Sequence, residues 1–119
     1  MSKELGKLGE EMAAQYLKEK CHFKILARNF SNRIGELDIV AADKNTIIFV
    51  EVKTRRDRCY GRPAEAVEKR KQFKLGKVAS TFLSRYSLWN RPCRFDVVEV
   101  YIEDDTHTHI NHIAGAFIL

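Results

Sequence analysis

Hydrophobic residues recur along this chain in three distinct rhythms. From Ser2, a suitable N-cap, to about Lys20, the residues Leu5, Leu8, Met12, Tyr16 and Leu17 fall at helical spacing and predict an amphipathic first helix. From Phe23 to Phe30 the alternation is imperfect and reads as a first strand, with turn chemistry at Ser31-Asn32-Arg33. Two runs rich in β-branched and aromatic residues follow, Gly35 to Val40 and Ile47 to Lys53, joined by the polar link Asp43-Lys44-Asn45-Thr46; together they predict a β-hairpin. The helical period returns from Pro63, which suits a first helical turn, to about Tyr86, through Val67, Leu75, Val78, Ala79, Phe82 and Leu83. Arg94 to Ile102 is apolar on both faces, as suits a strand covered on both sides or one bulged near Val97. After a turn at Asp104-Asp105-Thr106, a last segment closes on Ala116-Phe117-Ile118-Leu119.

The hairpin link fixes a register. With Lys44-Asn45 as a two-residue turn, Asp38 falls opposite Glu51 and Glu36 opposite Lys53. Carboxylates opposed on neighbouring strands repel, and a divalent cation between them turns repulsion into attraction. Lys53, two residues after Glu51, shares its face and would stand beside such an ion as a fixed positive charge. The plainer alternative is an ordinary Glu36–Lys53 ion pair with Asp38 and Glu51 at a solvated edge, the commoner outcome for an arbitrary hairpin. Against it, Ile47, Phe49, Glu51 and Lys53 share one face, so the acids emerge from an apolar surface.

At 119 residues the chain is expected to form one domain over residues 1–119. The net charge of +5 suggests an anionic partner. The excess is concentrated between Thr54 and Lys77, where nine basic residues face three acids. Arg55, Arg56, Arg58 and Arg62, with Tyr60, fall on what reads as a mobile loop that could grip phosphates and stack on a base, or could be merely solvated. Arg70, Lys74 and Lys77 line one face of the long helix, with Lys71 beside them, either a solvated row or a wall of a nucleic-acid groove. Arg28 and Asn29 suit a phosphate contact or a structural role equally. Trp89 is expected to cover the core edge, Asp96 to be structural, and His107, His109 and His112 to have no metal role. Three scattered cysteines and an amino terminus without an apolar core point to a cytoplasmic protein with reduced thiols and no membrane association.

Asp38 followed by Glu51-Val52-Lys53 resembles the PD-(D/E)xK motif of restriction-endonuclease-like nucleases. Gly35-Glu36-Leu37-Asp38-Ile39-Val40-Ala41 and Phe49-Val50-Glu51-Val52-Lys53-Thr54-Arg55 resemble the signature of the YraN family of small bacterial proteins. Gly9-Glu10-Glu11, Ala27-Arg28-Asn29-Phe30, Ala66-Val67 with Lys71, and Arg94-Phe95-Asp96-Val97-Val98 fit the same family, which is similar to archaeal Holliday-junction resolvases. Where the family has Gly-Tyr before the first strand, this chain has His22-Phe23. The resemblance implies an α/β restriction-endonuclease-like fold with a mixed central sheet flanked by helices. It implies a Mg²⁺- or Mn²⁺-dependent cut in DNA, with Asp38, Glu51 and the Val52 carbonyl at the metal, Lys53 catalytic, Glu10 pointing into the site and Lys71 as a helix lysine. By pattern alone, Glu10 and Glu11 could equally be a solvated pair near Lys7 and Lys18. Two other readings stay open: a nucleic-acid-binding module that cuts little or not at all, and a protein-interaction adaptor. Cutting two strands would suit a symmetric dimer.

Overall fold

The computed structural model describes residues 3–56 and 67–118. Its elements, in chain order, are α1 (Lys3–Glu19), β1 (Lys24–Ser31), β2 (Glu36–Asp43), β3 (Thr46–Arg55), α2 (Lys69–Arg85), β4 (Cys93–Ile102) and β5 (Thr108–Phe117). The five strands form one sheet in chain order. β1–β2, β2–β3 and β4–β5 are antiparallel, whereas β3 and β4 run parallel and are joined by the crossover that contains α2. The result is a mixed sheet with a helix on each face, consistent with the restriction-endonuclease-like architecture. None of the described helices is long and apolar enough to cross a membrane.

The period-2 patterns explain the layers. Along β3, Ile47 and Phe49 join Leu75, Val78 and Phe82 of α2 in one core cluster. Ile48 and Val50 join Ala13 and Leu17 of α1 in the other. β4 feeds both, with Phe95 and Val97 toward α2 and Val98 and Val100 toward α1, as expected of a strand covered on both faces. The alternative, a bulge in β4 near Val97, is not what forms: β4 keeps unbroken register with β3, and between Phe95↔Phe117 and Val97↔Ile113 it advances two residues while β5 advances four, so the extra residues lie in β5.

The chain leaves α1 through His22, whose φ of 59° is one that glycine adopts without cost. This reversal lets the Phe23 N–H reach the Leu17 carbonyl at 3.0 Å. At the position where the resemblance implies a glycine, His22 itself takes the left-handed φ. α1 packs on β3 at Gly9, where an added Cβ would stand 1.9 Å from Thr54 Oγ1. Only a residue without a side chain permits that approach, and it sets the height of Glu10 over the sheet.

Three expectations need correction. The second helix starts at Lys69, because Glu68 before it is in extended conformation (φ −59°, ψ 145°); Pro63 lies outside the described residues. Arg55 belongs to β3 and not to a loop. Trp89 does not cover the core: it is 60% exposed on the α2–β4 connector.

Candidate metal centre at the fork of the sheet

The hairpin register is the one the link dictates, from Asp43↔Thr46 through Ala42↔Ile47 to Ile39↔Val50. There the β2–β3 ladder stops. β2 goes on pairing with β1 as far as Ser31↔Glu36, and β3 with β4 as far as Arg55↔Tyr101. The sheet therefore forks between β2 and β3, and Asp38 is the first residue beyond the split. Its Oδ2 accepts the Val52 N–H at 2.8 Å, so a side chain takes over where the ladder ends. In an extended strand a residue's N–H and C=O point to the same neighbour, so Val52 also turns its carbonyl toward the fork.

Asp38 and Glu51 were expected as a directly opposed pair; the ladder ends one pair short of them, and a different set of acids closes up. One carboxylate oxygen from each of Glu10, Glu36 and Asp38 lies within 4.8 Å of the others. Glu10 descends from α1, while Glu36 and Asp38 stand two apart on β2. Glu51 alternates toward α2, where Lys71 Nζ lies 2.5 Å from its Oε1. The neighbouring glutamates of α1 part company, since Glu11 is exposed and paired with Arg28 at 2.9 Å.

Electrostatics mark Asp38 as the centre of this group. Burial and the charge of Glu51 push its carboxyl up to about 7, with Glu10 and Glu36 adding to the rise and the Val52 N–H opposing it. Burial and Glu36 also raise Glu10. Such an acid is poised to be ionised by an arriving cation. The donors are carboxylate and carbonyl oxygens, a hard set that suits Mg²⁺ or Mn²⁺ and not a softer ion. Two groups of the protein already occupy positions a cation would contest, the Lys71 ammonium on Glu51 and the amide of Asn29.

Asn29 carries no strong signal in the sequence. It sits in β1 between Arg28↔Ile39 and Phe30↔Leu37, hence across from Asp38, with φ of 55°. With its amide nitrogen turned inward it donates to Glu10 Oε1 at 3.0 Å and Glu36 Oε1 at 3.2 Å. The left-handed backbone, which Asn tolerates better than most residues, aims this side chain at the acids.

The basic residues divide. Lys53 stands two residues after Glu51 on the same face of β3, half-buried, beside Glu99 of β4 in the register. Arg55, expected to grip phosphate, places Nε 3.2 Å from Glu99 Oε2, and Glu99 also accepts from Tyr101 and Asn111. Arg56 is exposed, and Arg58, Tyr60 and Arg62 lie outside the described residues. Arg70 and Lys74 are exposed on α2. Asp96 lies elsewhere, fully buried and bound by Arg94, the Gly115 N–H and His112 Nε2. His112 in turn meets the Tyr16 hydroxyl at 3.0 Å. Asp96 and His112 thus link β4, β5 and α1.

Known proteins show the same pattern along the whole chain. It is 49% identical to a UPF0102 protein of Syntrophomonas wolfei, over 98% of this chain and 100% of that one. It is 48% identical to one from Caldicellulosiruptor saccharolyticus, over 97% and 98%. Against one from Caldanaerobacter subterraneus subsp. tengcongensis it is 44% identical, over 97% and 95%. The profile of UPF0102, described as an uncharacterised protein family, matches residues 9–100, which span Gly9 to Val100 near the end of β4 and so every residue of the fork. The chain belongs to the UPF0102 family.

Proposed function

We propose that this protein is a divalent-metal-dependent nuclease of the PD-(D/E)xK kind that hydrolyses phosphodiester bonds in DNA. The observation that carries the reading is the convergence of Glu10, Glu36 and Asp38 at the fork, with Asp38 raised to about 7 and Lys53 on the adjoining strand. Asp38, Glu51 and the Val52 carbonyl would hold the ion, with Glu10 and Glu36 close enough to bind it directly or through water. A Mg²⁺ or Mn²⁺ ion supplies Lewis acidity toward a phosphate oxygen and lowers the pKa of bound water.

The chain's own groups divide the remaining work. Lys53 orients the attacking water and offsets charge that builds on the phosphorus oxygens as the new P–O bond forms and the old one breaks. Glu10 and Glu36 accept hydrogen bonds from that water, Glu10 takes up its one proton, and the leaving oxygen takes a proton from solvent. Lys71, reaching Glu51 from α2, brings a second ammonium to the entrance. Arg56, Arg70 and Lys74 meet backbone phosphates without reading sequence.

The test is a panel of labelled branched, duplex and single-stranded DNAs incubated with Mg²⁺ or Mn²⁺. Cleavage is expected with the ion and absent in EDTA, and Lys53→Ala should lower the rate by about 10²–10³-fold while leaving the fold intact. Cleavage that survives Asp38→Ala would defeat the assignment. A binding module that does not cut is the second reading, favoured by the Lys71–Glu51 pair that satisfies one acid without a metal. It predicts salt-sensitive DNA binding that is indifferent to Asp38→Ala and accompanied by no cleavage.

A further inference from the structure

α2 carries six cations (Lys69, Arg70, Lys71, Lys74, Lys77 and Arg85) and no acid. On the helix these form a band. Lys71 borders the core and reaches the fork; Lys74 and Arg70 come next around the helix, and Lys77 beyond them. At the far side of the band stands Phe73, 63% exposed, with Lys69 one turn before it and Lys77 one turn after. The Lys77 ammonium lies 4.7 Å from the Phe73 ring centroid, holding one side of the ring in a cation–π contact. Beyond the ring, a groove of about 480 Å³ runs past Gly76 and Ser80 to Ile118, just after β5.

A large aromatic facing water at the end of a band of cations has a definite complement. Phe73 shares the groove with one other exposed apolar residue, Ile118, but Lys69 and Lys77 flank its ring, and such a site is poorly suited to another protein's apolar face. It suits a polyanion that carries its own flat rings, because stacking on an aromatic adds affinity for any base while cations track the backbone.

We propose that Phe73 is a stacking platform for an unpaired base of a DNA strand whose backbone follows the α2 cations from the fork. This extends the nuclease reading and rests on it, since it names the substrate class as DNA with a single-stranded segment next to the cut. A base pair inside a duplex is stacked on both faces, so the body of a blunt duplex would engage the cations and leave Phe73 idle.

The experiment is equilibrium binding in EDTA, where no cleavage occurs, to a single-stranded oligonucleotide containing 2-aminopurine and, separately, to a blunt duplex. The full-length protein should quench the probe on binding. Phe73→Ala should abolish the quench and weaken single-strand binding about tenfold while duplex binding holds. Phe73→Trp should restore both, which a merely structural role would not predict. Lys77→Met should weaken both DNAs and reduce the salt slope by about one. Unchanged single-strand affinity in Phe73→Ala would overturn the platform, as would a Phe73-dependent dimer in sedimentation, which would make this face a contact between copies. If the quench depends on Phe73 but no DNA is ever cut, the nuclease reading fails and the platform stands; if DNA is cut and Phe73 is silent, the platform alone falls.

Discussion

Two aspartates, one on β2 and one on β4, show opposite uses of a buried carboxylate. Asp96 is fully buried, and burial alone would raise its pKa, yet hydrogen bonds from His112, Arg94 and the Gly115 N–H hold it at about 2. Asp38 is partly buried, receives one backbone N–H, and is crowded by Glu51, Glu10 and Glu36 until it rises to about 7. One acid is surrounded by donors and ties β4 to β5 and α1. The other is surrounded by its own kind. Asp38 does hold the end of the β2–β3 ladder through Val52, but the acids crowded around it add nothing to that bond, and the proposed function assigns the crowding to a bound cation.

The sharpest way to break the comparison is to delete each acid. Asp96→Ala should destabilise the protein by about 3–5 kcal/mol in urea unfolding, since it strands Arg94 and His112 around a vacated site. Asp38→Asn, in the same assay at pH 8 in EDTA, should leave the protein as stable as the parent or more so.

The pH dependence differs in sign. Asp38 has a folded pKa above its unfolded value, so between about pH 4 and pH 7 the native state holds the extra proton and stability falls as pH rises, by about 3 kcal/mol after allowance for partial exposure. Asp96 has a folded pKa below its unfolded value, so its contribution is complete above about pH 4 and is lost as pH falls toward 2. Unfolding measured from pH 4 to pH 8 should show a falling limb in the parent that is much shallower in Asp38→Asn, where the raised Glu10 still contributes. Saturating Mn²⁺ should reverse that limb, adding about 2.7 kcal/mol at a hundredfold excess over its Kd.

Smaller changes probe how the cluster is seated. Gly9→Ala should cost about 1–3 kcal/mol, because its Cβ would collide with Thr54 and lift α1. By displacing Glu10 it should also weaken Mn²⁺ binding. Smallest of all, Arg28→Ala removes an exposed pair with Glu11 and should change stability by less than about 1 kcal/mol.

These elements differ in how far the sequence reveals them. The hairpin register was legible because a two-residue turn admits one pairing, and Lys44 takes the φ of 54° that such a turn asks for. In β4 the apparent change of phase at Asp96 marked two covered faces and not a bulge, since the extra residues lie in β5, where no pattern announced them. The site was half legible. Asp38, Glu51 and Lys53 stand out by spacing, but their arrangement depends on a fork in the sheet that no local pattern announces. The trio of Glu10, Glu36 and Asp38 forms because a glycine lets a helix sit close to a strand 45 residues later in the chain. Asn29 was hidden for a related reason, since its role comes from a left-handed φ in a strand. Phe73 did leave a trace: it is the one large apolar residue of α2 that falls off the core stripe. Trp89 misled because a lone tryptophan in a connector is usually buried, and this one is not.

The most direct measurement of the central claim is calorimetric titration of Mn²⁺ into the metal-free protein at pH 8, beside Asp38→Asn. The account predicts saturable binding in the parent, with protons released as Asp38 ionises, and loss of that binding in the variant. No binding in either protein, or equal binding in both, would contradict it.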